Sequence, residues 1–214
     1  MKTLLGFVGT LIFAVGLAGC AGQLDYSPPA VGSVDVANSK IVNRGFESVW
    51  ASAIPGIAES FFVINNLAKD SGIINVTYNG DPEQFLDCGM FRSTVTNARG
   101  TRVYEFPGAS AFQTYEVMDP SEGILLTRIQ RQLSLEGREN ILFESVDDSH
   151  TKVSVYVRYV VTLEGTITDV NGYSHSYQRT VNFSTGDGPH AFTPHHTVCK
   201  SNGQFERNIL GMIQ

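Results

Sequence analysis

Between positions 46 and 62 (FESVWASAIPGIAESFF) apolar residues fall at Phe46, Val49, Trp50, Ala53, Ile54, Ile57, Ala58, Phe61 and Phe62. That is the i, i+3, i+4, i+7, i+8 spacing of one buried helix face, with Glu47, Ser48, Ser52, Glu59 and Ser60 opposite it. The spacing predicts a long amphipathic helix over 46–62 that anchors the core. Pro55, on the polar side, removes a backbone donor and kinks or splits it. A short apolar segment at 40–43 leads into this helix. The chain leaves through Val63-Ile64-Asn65, turns at Asp70-Ser71-Gly72 and enters a β-branched, aromatic strand at 73–78.

The next stretch, 83–107, has weak patterning apart from strand composition at 101–106, and 108–113 reads as a loop. Strands are predicted at 124–135 and 141–146, with Glu136-Gly137-Arg138 as the turn between them. Asp147-Asp148-Ser149 turns the chain into 152–163, where Val153, Val155, Val157, Tyr159, Val161 and Leu163 alternate strictly. Glu164-Gly165 and Asn171-Gly172 are hairpin signals, and 173–183 is a further strand. A long polar loop at 184–203 precedes a short helix at 204–213, with Phe205, Ile209, Met212 and Ile213 on one face. The expected architecture is α+β: an antiparallel sheet with the long helix and the short C-terminal helix packed on one face. Without βαβ alternation, doubly wound nucleotide-binding folds are excluded.

The N-terminus adds an address. Lys2 precedes an apolar run from Leu4 to Leu17, too short and Gly-rich for a membrane span, and the run ends in Leu17-Ala18-Gly19-Cys20. This tetrad resembles the bacterial lipoprotein signal, which implies that Cys20 is acylated and becomes the mature N-terminus. The following Ala21, rather than Asp, implies the outer membrane; the domain is expected to face the periplasm, with the outer surface as the alternative. The expected organisation is a lipoprotein signal peptide at 1–19, lipidated Cys20 with a flexible tether to 38, and a single α+β periplasmic domain at 39–214. The tether's Gly, Pro and Ser fit a linker of reach up to about 60 Å, although Val31, Val34 and Val36 allow part of it to dock.

Composition narrows the partners. Only 17% of residues are charged and the formal net charge is −6. An acidic chain without a basic run argues against nucleic acid and against a polybasic lipid-binding patch. Beyond Cys20, two of the three cysteines remain, Cys88 and Cys199, and in an oxidising compartment they read as a disulfide.

Candidate chemistry is sparse. Asp187, His190, His195, His196 and Cys199 are suitable types for Zn or Cu, yet their spacing matches no zinc signature, and a disulfide at Cys199 competes with ligation. No GxSxG occurs, and Asp147-Asp148 fits turn chemistry. Arg128, Arg131, Arg138 and Arg158 form either an anion site or a solvated sheet face. No catalytic residue and no cofactor is expected.

A short strand, a Val-Trp-containing helix and an exit through Phe62, Ile64, Gly72, Ile74, Val76 and Tyr78 resemble the helix-grip domains of BamC-type outer-membrane lipoproteins over about residues 39–78. The resemblance implies a non-enzymatic accessory subunit of an envelope assembly such as a secretion apparatus or outer-membrane machine. Its partners would be other subunits, with the membrane held through N-terminal acyl chains. A second expectation is a carrier for an apolar ligand, in a cavity lined by Phe46, Trp50, Ile54, Ile57, Phe61 and Phe62. A third, weaker one is a metal-binding protein using the loop at 187–199.

Overall fold

A computed structural model describes residues 21–32, 37–119, 125–193 and 197–214. The signal-peptide segment at 1–19 and Cys20 lie outside the described residues.

Two long strands carry the fold. β9 (Leu125–Asp147) and β10 (His150–Thr168) pair antiparallel from the tip at Asp147↔His150 to Arg128↔Thr168 at the open end. Their odd-numbered side chains face the interior, among them Leu133, Leu135, Ile141 and Phe143 of β9 and Val153 through Leu163 of β10. Toward the tip, β4 (Ile73–Gly80) pairs with β9 and β3 (Val63–Ala68) with β4, while β2 (Ser39–Val42) pairs with β10. Toward the open end, β8 (Phe112–Asp119) pairs with β9 and β11 (Ser174–Ser184) with β10.

A second sheet, in the order β1 (Ala21–Ser27), β6 (Met90–Asn97), β7 (Gly100–Pro107), lies against β8. Ser93 Oγ donates to the Glu116 carbonyl at 2.6 Å, and Phe91, Phe106 and Tyr115 form a small core between the sheets. A third, minor sheet joins β12 (His190–Phe192), β13 (Thr197–Ser201) and β5 (Leu86–Asp87), and the disulfide Cys88–Cys199 staples it. Two helices, α1 (Phe46–Ala58) and α2 (Gln204–Met212), pack over the main core.

The molecule is therefore mainly β, which overturns the α+β, helix-grip-like expectation: strands take 61% of the described residues, and the helices are short. α1 ends at Ala58, four residues before the predicted end. Ser60 is the reason. Its Oγ donates to the Ile57 carbonyl and accepts from the Phe62 N–H, which closes the last turn and releases the chain into β3. Pro55 stays inside the helix, and the Glu59 N–H still reaches its carbonyl at 3.0 Å.

Five further expectations are corrected, two of them through packing against glycine. Glu136-Gly137-Arg138 is no turn, because β9 runs straight through it, and Glu164-Gly165 likewise lies within β10. Both glycines lie beneath aromatic rings. A Cβ on Gly137 would stand 2.8 Å from Phe205 Cζ, and one on Gly165 would strike the Tyr177 ring. The 108–113 loop ends early, since β8 starts at Phe112, and the polar 184–203 loop contains β12 and β13. Residues 21–27, expected within a flexible tether, form β1, in register with β6 from Ala21↔Thr96 to Ser27↔Met90. Asn171-Gly172 does turn the chain, with Gly172 at φ +86°, as the sequence predicts.

Candidate functional site

The helix positions expected to line a ligand cavity fill the core instead. Trp50, Ile57 and Phe62 are buried, Phe46 and Ile54 pack against the same core, and Phe61 is 51% exposed. Their neighbours are protein: Trp50 meets the edge of Phe143 at 5.3 Å, and Phe62 lies 5.8 Å from Phe205, which stacks on Phe85 at 3.8 Å.

The late loop does not assemble a metal centre among the described residues. Asp187 Oδ2 accepts the Ser184 N–H at 2.7 Å, and the His190 ring stacks on Phe183 at 5.2 Å. Cys199 is bonded to Cys88, so its thiolate is not offered to an ion. His195 and His196 lie outside the described residues.

The ionisable groups with chemical interest are elsewhere, on the inner face of the long hairpin. Glu139 of β9 is 1% exposed and Glu206 of α2 is fully buried. The strand period turns Glu139 and Tyr159 inward, and the first turn of α2 brings Glu206 down onto them. Tyr159 donates to the Glu206 carboxylate at 3.2 Å, and Thr185 Oγ1 donates to Glu206 Oε1 at 2.7 Å. Ser201 Oγ in turn donates to the Tyr159 oxygen at 2.7 Å and accepts the Gly203 N–H that opens α2. Neither carboxyl oxygen of Glu139 has a hydrogen-bond partner in another residue. Burial, followed by the nearby Glu206 charge, raises its carboxyl to about 8. Burial and the Glu206 charge also push the Tyr159 hydroxyl well above its usual value. At neutral pH the cluster thus pairs a protonated Glu139 with a Glu206 held by hydroxyl donors. Both carboxyls are buried, Glu206 on the inward face of α2 and Glu139 on the strand beneath it.

Arg131 is a second buried charge, 2% exposed, at the open-end half of β9. Its Nη2 donates to the Gly108 carbonyl at 2.6 Å, and its guanidinium carbon lies 5.4 Å from the centre of the Phe91 ring. Desolvation lowers its pKa, and the neighbouring Tyr115, Tyr177 and Tyr26 oppose that shift. Tyr115 is pushed up to about 12 by the same burial. Arg128, Arg138 and Arg158, by contrast, are exposed on the outer face, so the four arginines do not converge on an anion.

The open-end half holds a depression of about 500 Å³ bordered by Phe112, Gln130, Arg131, Gln132, Glu164, Gly165, Thr166, Ser176, Tyr177 and Gln178. Gln178 Nε2 donates to Glu164 Oε1 at 2.6 Å, and Thr166 pairs with Ser176 at 3.0 Å. These cross-strand contacts make a polar, solvated sheet surface.

Glu139 is unmarked by any sequence motif, Arg131 is marked only as one of four arginines rather than as a buried one, and Glu206 is unmarked as well. A signal for the first two was present: both occupy the inward parity of Leu133, Leu135, Ile141 and Phe143, which becomes visible once 125–147 is read as one strand. Comparison with protein-family models, curated proteins and solved structures returned no match.

Proposed function

We propose that this chain is a lipid-anchored, non-enzymatic accessory subunit of a bacterial cell-envelope assembly, with its domain on the periplasmic side of the outer membrane. The observation that carries the reading is how the three cysteines are used. Cys88 and Cys199 bond to each other, which fits an oxidising compartment, and leave Cys20 of Leu17-Ala18-Gly19-Cys20 as the one thiol for acylation. Two further features support binding over catalysis. The buried acids are closed off from substrate, and β3 is the terminal strand of the main sheet path. Beside and along that strand Phe61, Val63 and Leu67 are 51%, 62% and 46% exposed, an apolar edge suited to strand addition by a partner subunit.

The test keeps the N-terminal signal intact. A C-terminally tagged chain, extracted from the envelope in mild detergent, is expected to run as a large particle of defined composition. Val63→Lys combined with Leu67→Lys breaks the particle without unfolding the domain, and Cys20→Ser releases the protein from the membrane fraction. A lone monomer in the wild-type extract overturns the subunit reading.

A further inference from the structure

Strand register collects several features at the open end of the long hairpin. β1 starts at Ala21, the residue bonded to Cys20, and Ala21 pairs with Thr96 beside the turn between β6 and β7. Gly22 lies directly on β8, where an added Cβ would stand 2.5 Å from Met118 Cβ. Met118 pairs with Leu126, and Leu126 borders the same surface depression as Thr168, Asp169 and Val170. The turn that follows Thr168 presents Val170 and Tyr173, 56% and 77% exposed. This turn is firmly built. Asp169 Oδ1 accepts the N–H groups of Asn171 and Tyr173, the Asp169 N–H reaches the Tyr173 carbonyl at 3.0 Å, and Gly172 takes the left-handed conformation.

We propose that this end of the molecule is a membrane-contacting surface, with Val170 and Tyr173 entering the headgroup layer of the bilayer that holds the Cys20 acyl chains. The inference rests on the lipid-anchor reading above. Consecutive Cα atoms are about 3.8 Å apart, so an anchor on Cys20 leaves almost no slack before β1. The second sheet, and with it the end of β8 and the turn at 169–173, is then drawn to the bilayer surface instead of being held at a tether's length. The exposed side chains suit that position. Tyrosine places its ring among the upper acyl carbons and its hydroxyl among the headgroups, and valine adds apolar area beside it. Arg99, in the turn after Asn97, supplies a cation for lipid phosphate at the same end.

The experiment uses the full acylated chain in phosphatidylethanolamine–phosphatidylglycerol vesicles carrying brominated acyl chains. Trp50, the chain's only tryptophan, is buried near the hairpin tip against Phe143 and serves as the internal reference. Tyr173→Trp adds a reporter at an exposed position, where substitution leaves the core untouched. The expected result is loss of Tyr173→Trp emission in brominated vesicles, with wild-type emission unchanged. Acylation is read separately from the mass of the N-terminal peptide. An acylated Cys20 with unquenched Tyr173→Trp emission overturns the membrane-contact proposal and leaves the anchor intact. A Cys20 without acyl chains overturns the anchor reading, and this proposal with it.

Discussion

Glu139 is 1% exposed, and neither of its carboxyl oxygens has a hydrogen-bond partner. Its carboxyl, raised to about 8 by burial, stands far above the ~4.3 of a free glutamate. Between those values the folded chain holds a proton that the unfolded chain has released, so stability falls as pH rises through the interval. The favourable contribution is complete below about pH 4 and gone above about pH 8, a span of at most about 5 kcal/mol. Denaturant midpoints measured from pH 5 to pH 9 are expected to decline for the wild type. Glu139→Gln keeps the shape without the titration, so its profile is expected to be flatter and its midpoint higher at pH 9. An equal decline in both proteins would place the titrating group elsewhere.

At the scale of elements, glycine decides what the sequence hides. Local composition at Glu136-Gly137-Arg138 and Glu164-Gly165 matches turns, yet each glycine is a seat for a ring brought from elsewhere, Phe205 of α2 or Tyr177 of β11. Such contacts have no local signature, which is why a 23-residue strand reads as two. Gly165→Val is expected to displace Tyr177 and cost about 1–3 kcal/mol, seen as a lower thermal midpoint. The strict alternation from Val153 to Leu163 survives as β10, and 204–213 forms α2 nearly as the spacing predicts, because both patterns are local and long enough to be unambiguous. The helix at 46–62 is legible in position and type but not in length. Its apolar period continues into Phe61 and Phe62, whereas the backbone stops where Ser60 captures the Ile57 carbonyl. The buried acid cluster depends on three separate elements meeting, and only the inward parity of Glu139 announced it.

For the whole molecule, the disulfide was legible by counting cysteines, while its structural role was not. It spans 111 residues in sequence and closes the minor sheet onto the region where Tyr26 of β1 bonds the backbone of Cys88 and Val198. A loop of that length is worth up to about 4–5 kcal/mol in the chain-entropy description. Cys88→Ser with Cys199→Ser is therefore expected to lower the denaturant midpoint substantially, as is reductant acting on the wild type; an unchanged midpoint would make the bond dispensable. The paired strands β9 and β10 carry one further consequence. From Arg128 to Asp147 the hairpin rises about 3.3 Å per residue, so its acidic tip at Asp147 and Asp148 stands up to about 60 Å from the end where Ala21 lies. A slack linker of similar reach would let that distance fluctuate; hydrogen-bonded strands hold it nearly constant. With Cys20 acylated as proposed, the acidic tip would stand at a nearly fixed height above the bilayer.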